Sequence, residues 1–294
     1  MAISTSPASL LQYTLLIIPT YIFILSPLST ILFSAPSLPP ANSLDPNNTL
    51  VLPSPSLSCP NHTYPIHLLS RSPLILYIPS FLTPNERDHI TSLANPLYAQ
   101  SPIYAGTQAS IDMSIRNSSR AQLPRDDIVQ CIESRALALQ GWPVDTYVER
   151  LWAQRYEAGG HYSHHFDWAG ELSARGGGRV STLMVYVACE GCEGGGTEFP
   201  RLEKPKGAEW CEYIECADGE EEEERTGVTF RPVAGSAVYW ENFKPDGRGW
   251  EELWHAGMPV RKGTKIGLNI WSWYQPGFRE IFDKRLVEAE KEEL

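Results

Sequence analysis

The sequence predicts an α+β domain whose core is an antiparallel barrel or jelly roll with packing helices, set behind an N-terminal hydrophobic anchor. From Thr146 onward, short β-rich runs alternate with glycine-rich turns: TYVERLWAQRY, RVSTLMVYVAC, VTFRPV, SAVYWENF and KIGLNIWSWY. Short strands without helical patterns between them point to an antiparallel closed or double sheet. Helical signals are confined to the earlier half, over 84–95 and from Arg125 to Leu139, so the helices pack on one face of the strands.

In chain order, residues 1–9 are a short tail, and 10–34 read as a transmembrane or signal anchor. Leu10 to Phe33 is apolar, uncharged and long enough to span a bilayer. Pro19 and Pro27 weaken it as a helix, although bilayer helices tolerate proline better than soluble ones. No Lys or Arg precedes Arg71, so flanking charge assigns no orientation. A signal peptide cleaved near Ser34 and Ala35 is the competing reading, and either delivers the rest of the chain to the secretory lumen. Residues 35–70, rich in Pro, Ser and Asn, read as a linker.

The folded domain is expected over 71–278, opening near Pro73 with LILYIPSFLT as a strand and turn. Thr83 or Asn85 caps the first helix, and Gly141 ends the second. Residues 279–294 read as an acidic tail. The net charge of -11 excludes a general nucleic-acid binder, which needs a basic face for phosphates. The runs Glu220 to Glu224 and Glu288 to Glu293 read as solvated surface or tail.

Six cysteines stand at Cys59, Cys131, Cys189, Cys192, Cys211 and Cys216. The CxxC at 189–192, with Cys211 and Cys216 as a second close pair, suits zinc as well as disulfides. Sequons at Asn47, Asn61 and Asn117 behind a hydrophobic N-terminus favour a luminal chain, hence disulfides, with the pairing left open.

The sharpest local feature is His165-Phe166-Asp167 in RYEAGGHYSHHFDW. Side chains two apart on a strand share a face, so His165 and Asp167 can meet one ion while Phe166 points away. His161 and His164 lie in the same tract, but only His165 stands two residues before an acid. His255 is the only histidine after that motif and is the candidate third ligand. Two His and one carboxylate leave open positions, as oxygen-activating non-haem iron requires. A lone HxD also occurs by chance.

Lys265 follows ten residues after His255. Lys262-Gly263 reads as a hairpin turn that returns the Lys265 strand beside His255. In KIGLNIWSWY, Ile266, Leu268 and Ile270 share one face and Lys265, Gly267, Asn269 and Trp271 the other. An ammonium in a barrel mouth is costly without an anion, and the distal carboxylate of 2-oxoglutarate would be such a partner. A surface lysine on an edge strand is the plainer alternative.

These pieces assemble, in order, into a string that resembles the prolyl 4-hydroxylase catalytic domain. Tyr156, Gly159, Tyr162, His165 and Asp167 come first, then Arg179 and Thr182 leading into a strand with Tyr186. Gly194, Gly195, Thr197, Phe199 and Pro200 follow, then Pro232, Gly235, Ser236, Ala237, Tyr239 and Trp240. His255, Ala256, Gly257, Pro259, Val260, Lys265 and Trp271 complete it, so the resemblance covers roughly 75–275. It implies a double-stranded β-helix (jelly-roll) core with Fe(2+) held by His165, Asp167 and His255. It implies 2-oxoglutarate on Lys265, with Tyr156 and Thr197 as hydrogen-bond partners and Thr182 near the same pocket. O2 and L-ascorbate are the further implied reactants.

Arg116-Asn117-Ser118-Ser119 sits where the family has a mobile substrate loop, and its sequon sets a glycan against substrate access. The insertion between Pro200 and Val228 resembles that of fungal-type homologues, braced by Cys211 and Cys216. Trp240, Trp250, Trp254, Trp271 and Trp273 read as core and barrel-end packing. The implied reaction hydroxylates peptidyl proline in a proline-containing peptide or secreted protein. Lysyl or small-molecule hydroxylation, and a silent jelly roll that binds peptide or glycan, are the alternatives. The implied location is the endoplasmic reticulum membrane, single-pass with a luminal domain, or secretion after cleavage. A disulfide-isomerase-like partner accompanies some relatives.

Overall fold

A computed structural model describes residues 49–105, 108–172, 176–216 and 227–278. The expected anchor over 10–34, the Asn47 sequon, the acidic run at 220–224 and the tail over 279–294 lie outside the described residues. Among the described residues, no helix is long and apolar enough to cross a membrane.

The chain begins with strands β1 (Leu50–Val51), β2 (His67–Arg71) and β3 (Leu74–Ile78), then helix α1 (Pro84–Ala94). Short strands β4 (Ala99–Gln100), β5 (Ile103–Ala105), β6 (Gln108–Ser110), β7 (Arg116–Asn117) and β8 (Ser119–Gln122) lead to helix α2 (Asp127–Leu139). Then come β9 (Thr146–Glu149), β10 (Trp152–Tyr156), β11 (His161–His165), the long β12 (Gly178–Gly194) and β13 (Thr197–Phe199). The last are β14 (Val228–Phe230), β15 (Ala237–Glu241), β16 (His255–Gly257) and the long β17 (Val260–Tyr274).

Strand pairing is antiparallel throughout and makes two main sheets. The larger runs β2-β3-β15-β12-β17-β10-β8-β4, with β9 also joined to β17 and β1 to β9, and the smaller runs β14-β13-β16-β11-β7. Period-two alternation gives the larger sheet two apolar faces. Leu183, Val185, Val187, Leu268 and Ile270 pack with Ile90, Ala94, Val129, Ile132 and Leu137 of the two helices. Met184, Tyr186, Val238 and Trp240 point the other way and pack with Phe199, Val228 and Phe230 of the smaller sheet. The result is a mostly β jelly roll with helices on one outer face, as expected of the fold class.

Thr83, not Asn85, caps α1: its hydroxyl accepts from the Glu86 amide at 3.2 Å, and Glu86 accepts from the Thr83 amide at 2.8 Å. This reciprocal pair satisfies two backbone donors that a helix start would leave unpaired. Glu86 also pairs with Arg135 of α2 at 2.6 Å, which ties the helices together.

The structure departs from the sequence expectations in three stretches. Residues 49–70 are not a free linker: Leu50 and Val51 are buried and pair with β9, β2 pairs with β3, and Cys59 is bridged to Cys131 in α2. A strand of two residues has no period to detect, so composition misled. Lys262-Gly263 is not a hairpin: β17 runs unbroken through it, opposite β12. Gly263 (φ +76°) lies against the Glu190 carbonyl, where a Cβ would come within 2.3 Å, at a register shift between Glu190 and Glu193. The same left-handed freedom that marks a turn here serves a bulge. Arg116 to Ser119 falls in β7 and β8 rather than in a loop, with Arg116 buried.

The cysteines pair as Cys59–Cys131, Cys189–Cys192 and Cys211–Cys216, which leaves no pair for zinc and braces the insertion as expected. The first closes a loop of 72 residues. Replacing both partners, Cys59→Ser with Cys131→Ala, is expected to lower unfolding free energy by about 4 kcal/mol through released chain entropy. Denaturant titration measures this, and an unchanged midpoint would show that β1 and helix α2 need no tie.

Candidate functional site

The smaller sheet brings the histidine strands together. β11 and β16 pair with His165 directly opposite His255, and Asp167 follows two residues beyond His165. One ligand atom from each of His165, Asp167 and His255 lies within 4.8 Å of the others, a set that can hold one metal ion. His165 Nε2 is 3.7 Å from Asp167 Oδ1, and His255 Nε2 is 3.9 Å from Asp167 Oδ2. Phe166 turns outward as the alternation requires, packing on Trp168 and Trp254 at 4.5 and 4.7 Å.

Both imidazoles are fixed by main-chain carbonyls. His165 Nδ1 is 2.9 Å from the Ser163 oxygen, and His255 Nδ1 is 2.8 Å from the Leu253 oxygen. A carbonyl can only accept, so each Nδ1 carries a proton and each Nε2 is turned toward the centre. Burial, reinforced by neighbouring His255, pushes His165 down to about 3, so it stays neutral. Burial works to raise the Asp167 carboxyl, but His255, His165, Arg179 and the Thr182 hydroxyl outweigh it and hold it below the usual carboxylate range. A neutral His165 beside an ionised Asp167 is donor chemistry that a divalent ion needs.

Lys265, on the larger sheet, faces the same cavity. It is 4% exposed, and its Nζ donates to the Gly195 carbonyl at 2.6 Å. No carboxylate pairs with it among the described residues, and burial pushes its ammonium down to about 8. A desolvated cation whose hydrogen bond among the described residues goes to a neutral carbonyl is a site built for an anion. Gly195 (φ +74°) permits this approach, because a Cβ there would lie 3.2 Å from Lys265 Cδ and 3.0 Å from Val260 Cγ2.

Tyr156 and Thr197 line the cavity with Lys265, His165, Asp167 and His255. The Tyr156 hydroxyl donates to Gln154 at 3.1 Å, and Thr197 accepts from the Tyr186 hydroxyl at 2.8 Å. Thr182 is placed differently from the sequence expectation. It lies beneath Asp167, donating to Oδ2 at 2.8 Å and accepting from Asn242 at 3.2 Å, and it does not line the cavity. Asn242, fully buried, in turn accepts from Trp240 Nε1 at 3.0 Å. Sequence reasoning missed Gln154, Tyr186 as the partner of Thr197, and Asn242. Only the inward register of Gln154 with Tyr156 carried a signal.

This fold and this donor set define an oxygenase of the 2-oxoglutarate and iron(II) class, and residues 151–273 match the family model described as the 2OG-Fe(II) oxygenase superfamily. Prolyl 4-hydroxylase 5 of Arabidopsis thaliana is 30% identical over 213 residues, spanning 70% of each chain. Probable prolyl 4-hydroxylase 8 of the same plant is 31% identical over 213 residues, again spanning 70% of each. The crystal structure of a viral collagen prolyl hydroxylase from Paramecium Bursaria Chlorella virus-1, in complex with 2OG, superposes with a TM-score of 0.48. It is 23% identical and covers 68% of this chain and 95% of that one. The chain belongs to the prolyl 4-hydroxylase family of 2-oxoglutarate- and iron(II)-dependent dioxygenases.

Proposed function

We propose that the chain hydroxylates peptidyl proline to 4-hydroxyproline, consuming O2 and 2-oxoglutarate and releasing succinate and CO2. The observation that carries this reading is the buried Lys265 ammonium, without a carboxylate partner among the described residues, in the cavity where three ligand atoms converge. His165, Asp167 and His255 would hold Fe(2+), and Lys265 would take the distal carboxylate of 2-oxoglutarate with Tyr156 and Thr197 beside it. Bound iron(II) supplies the activation of dioxygen that couples 2-oxoglutarate decarboxylation to C–H hydroxylation. The protein's own part is to fix both imidazole tautomers, keep Asp167 ionised, and offer a dry cationic seat. L-ascorbate is the reductant expected to keep the iron ferrous.

The proline assignment draws on the prolyl 4-hydroxylases it resembles. We place the chain in the endoplasmic reticulum membrane, anchored through residues 10–34 with the domain in the lumen, or released after cleavage. Three disulfides and the exposed Asn61 sequon support an oxidising compartment.

The test is 2-oxoglutarate decarboxylation by the full chain with iron(II) and ascorbate, with and without a poly-proline peptide. Peptide-stimulated succinate formation is expected. Slow turnover indifferent to peptide would discard proline as substrate. No turnover with iron bound would leave a binding module.

Two further results follow from the geometry. The anion site needs Lys265 protonated, and in the free protein that proton leaves at about pH 8. Affinity for 2-oxoglutarate is therefore expected to be flat below about pH 8 and to fall by about tenfold per pH unit above it. A level profile to pH 9.5, read from the 2-oxoglutarate KM, would remove Lys265 from this role. Thr182→Val deletes the hydroxyl that orients Asp167, and iron(II) affinity is expected to fall about 10- to 100-fold by titration. Unchanged affinity would show that Asp167 needs no such support.

A further inference from the structure

The reaction makes no use of the CxxC motif at 189–192, yet the fold sets it beside the anion seat. Cys189 lies opposite Lys265 in the pairing of β12 with β17, and Glu190 lies opposite Thr264. Register shifts follow between Glu190 and Glu193 and between Glu193 and Gly194, so the Cys189–Cys192 bridge spans a bulge in β12. Only Glu193 and Gly194 separate Cys192 from Gly195, whose carbonyl accepts from Lys265 Nζ at 2.6 Å. The bulge also grips the strand that carries Lys265. The Cys192 sulfur is 3.4 Å from the Thr264 carbonyl, and a Cβ on Gly263 would overlap the Glu190 and Gly191 main chain.

This bridge is open to an attacking thiolate. Cys189 and Cys192 are half-buried, and Glu190, Gly191 and Glu193 around them are exposed. The other two bridges are set into the core: Cys131 is buried in α2, and Cys216 packs against the cluster beneath the smaller sheet. Its cysteines are only three positions apart, so this bridge constrains the unfolded chain little, and opening it leaves the fold standing.

We propose that Cys189–Cys192 is a reversible thiol–disulfide exchange site, reduced by an external dithiol, whose state is read at the Lys265 seat. The readout rests on the 2-oxoglutarate role proposed for Lys265 above. One thiolate of the dithiol attacks a sulfur of the bridge, forming a mixed disulfide and releasing the other cysteine as a thiolate that takes up a proton. The partner's second thiol loses its proton and attacks the mixed disulfide, leaving the partner as a disulfide and freeing the remaining cysteine, which is protonated in turn. Two electrons and two protons thus pass from the dithiol to the bridge. With the bridge closed, the bulge holds the Gly195 carbonyl where it fixes the ammonium, so an arriving carboxylate need not order a flexible lysine. With it open, a segment containing Gly191, Gly194 and Gly195, all at positive φ, loses its cross-link and the ammonium loses that preorganisation.

The test treats the full chain with graded dithiothreitol, then alkylates free thiols and reads each cysteine peptide by mass spectrometry. Cys189 and Cys192 are expected to label first, with Cys59–Cys131 and Cys211–Cys216 still closed and the melting temperature unchanged. After removal of the dithiol, the KM for 2-oxoglutarate is expected to be about fivefold higher, the scale of one hydrogen bond, at unchanged iron(II) affinity. Reoxidation should restore it. Cys189→Ser with Cys192→Ser should show the raised KM without any dithiol and no further response to one. Simultaneous labelling of all three bridges, or a KM that reduction leaves in place, would overturn the exchange site while leaving the 2-oxoglutarate reading intact. Loss of saturable 2-oxoglutarate dependence in the oxidised wild type would instead defeat the reading of Lys265, and this readout with it.

Discussion

Lys265→Ala is expected to raise the KM for 2-oxoglutarate by two to three orders of magnitude while iron(II) still binds. The ammonium is buried, bonded to the neutral Gly195 carbonyl, and 5.0 and 5.5 Å from the Tyr156 and Tyr186 ring centroids. Without it, an incoming carboxylate would lose its water and meet a carbonyl oxygen and two aromatic rings. Truncating one partner of a buried charge pair costs about 2–5 kcal/mol, which spans this range. The ligand atoms of His165, Asp167 and His255 are contributed from the smaller sheet side of the cavity and do not touch Lys265, so a metal titration separates the two effects. A KM shift below about fivefold would mean that the anion is held elsewhere.

The second large effect is on the ion. His165→Ala is expected to abolish iron(II) retention and to lower turnover at least a thousandfold, beyond the range for losing an outer partner. Only Asp167 and His255 would remain of the three donors. His164→Ala is the control within the same tract. His164 is exposed and bonds Glu198 at 2.7 Å, outside the triad, so its loss is expected to leave iron binding and turnover within about twofold. Equal damage from both substitutions, at matched melting temperature, would mean that spacing had picked the wrong histidine.

What was legible in the chain was what period-two geometry controls. His165 and Asp167 could be assigned to one face because Phe166 had to take the other, and KIGLNIWSWY sorted into a core face and a cavity face for the same reason. His255 was legible because no other histidine follows the motif. Features set by tertiary pairing were not. Gly263 looks the same in a tight turn and in a bulge, and only the partner strand decides between them. Thr182 alternates inward like a cavity residue, yet whether it meets co-substrate or carboxylate depends on Asp167 arriving from a loop that follows another strand. Asn242 has no local pattern at all, being defined by what it touches from Thr182, Trp240 and the Arg179 carbonyl.

The strap that composition concealed has a consequence for how the domain is joined to other chain. Leu50 from β1, Tyr147 from β9 and Phe278 form one small apolar cluster, with the Tyr147 and Phe278 rings 4.9 Å apart edge to face. The first and last described segments therefore meet at a single point, closing the described domain like a ring with a clasp. A chain closed in this way is a portable module: it can be inserted into another protein's loop without being stretched. The same closeness favours circular permutation, with new ends opened at an exposed turn.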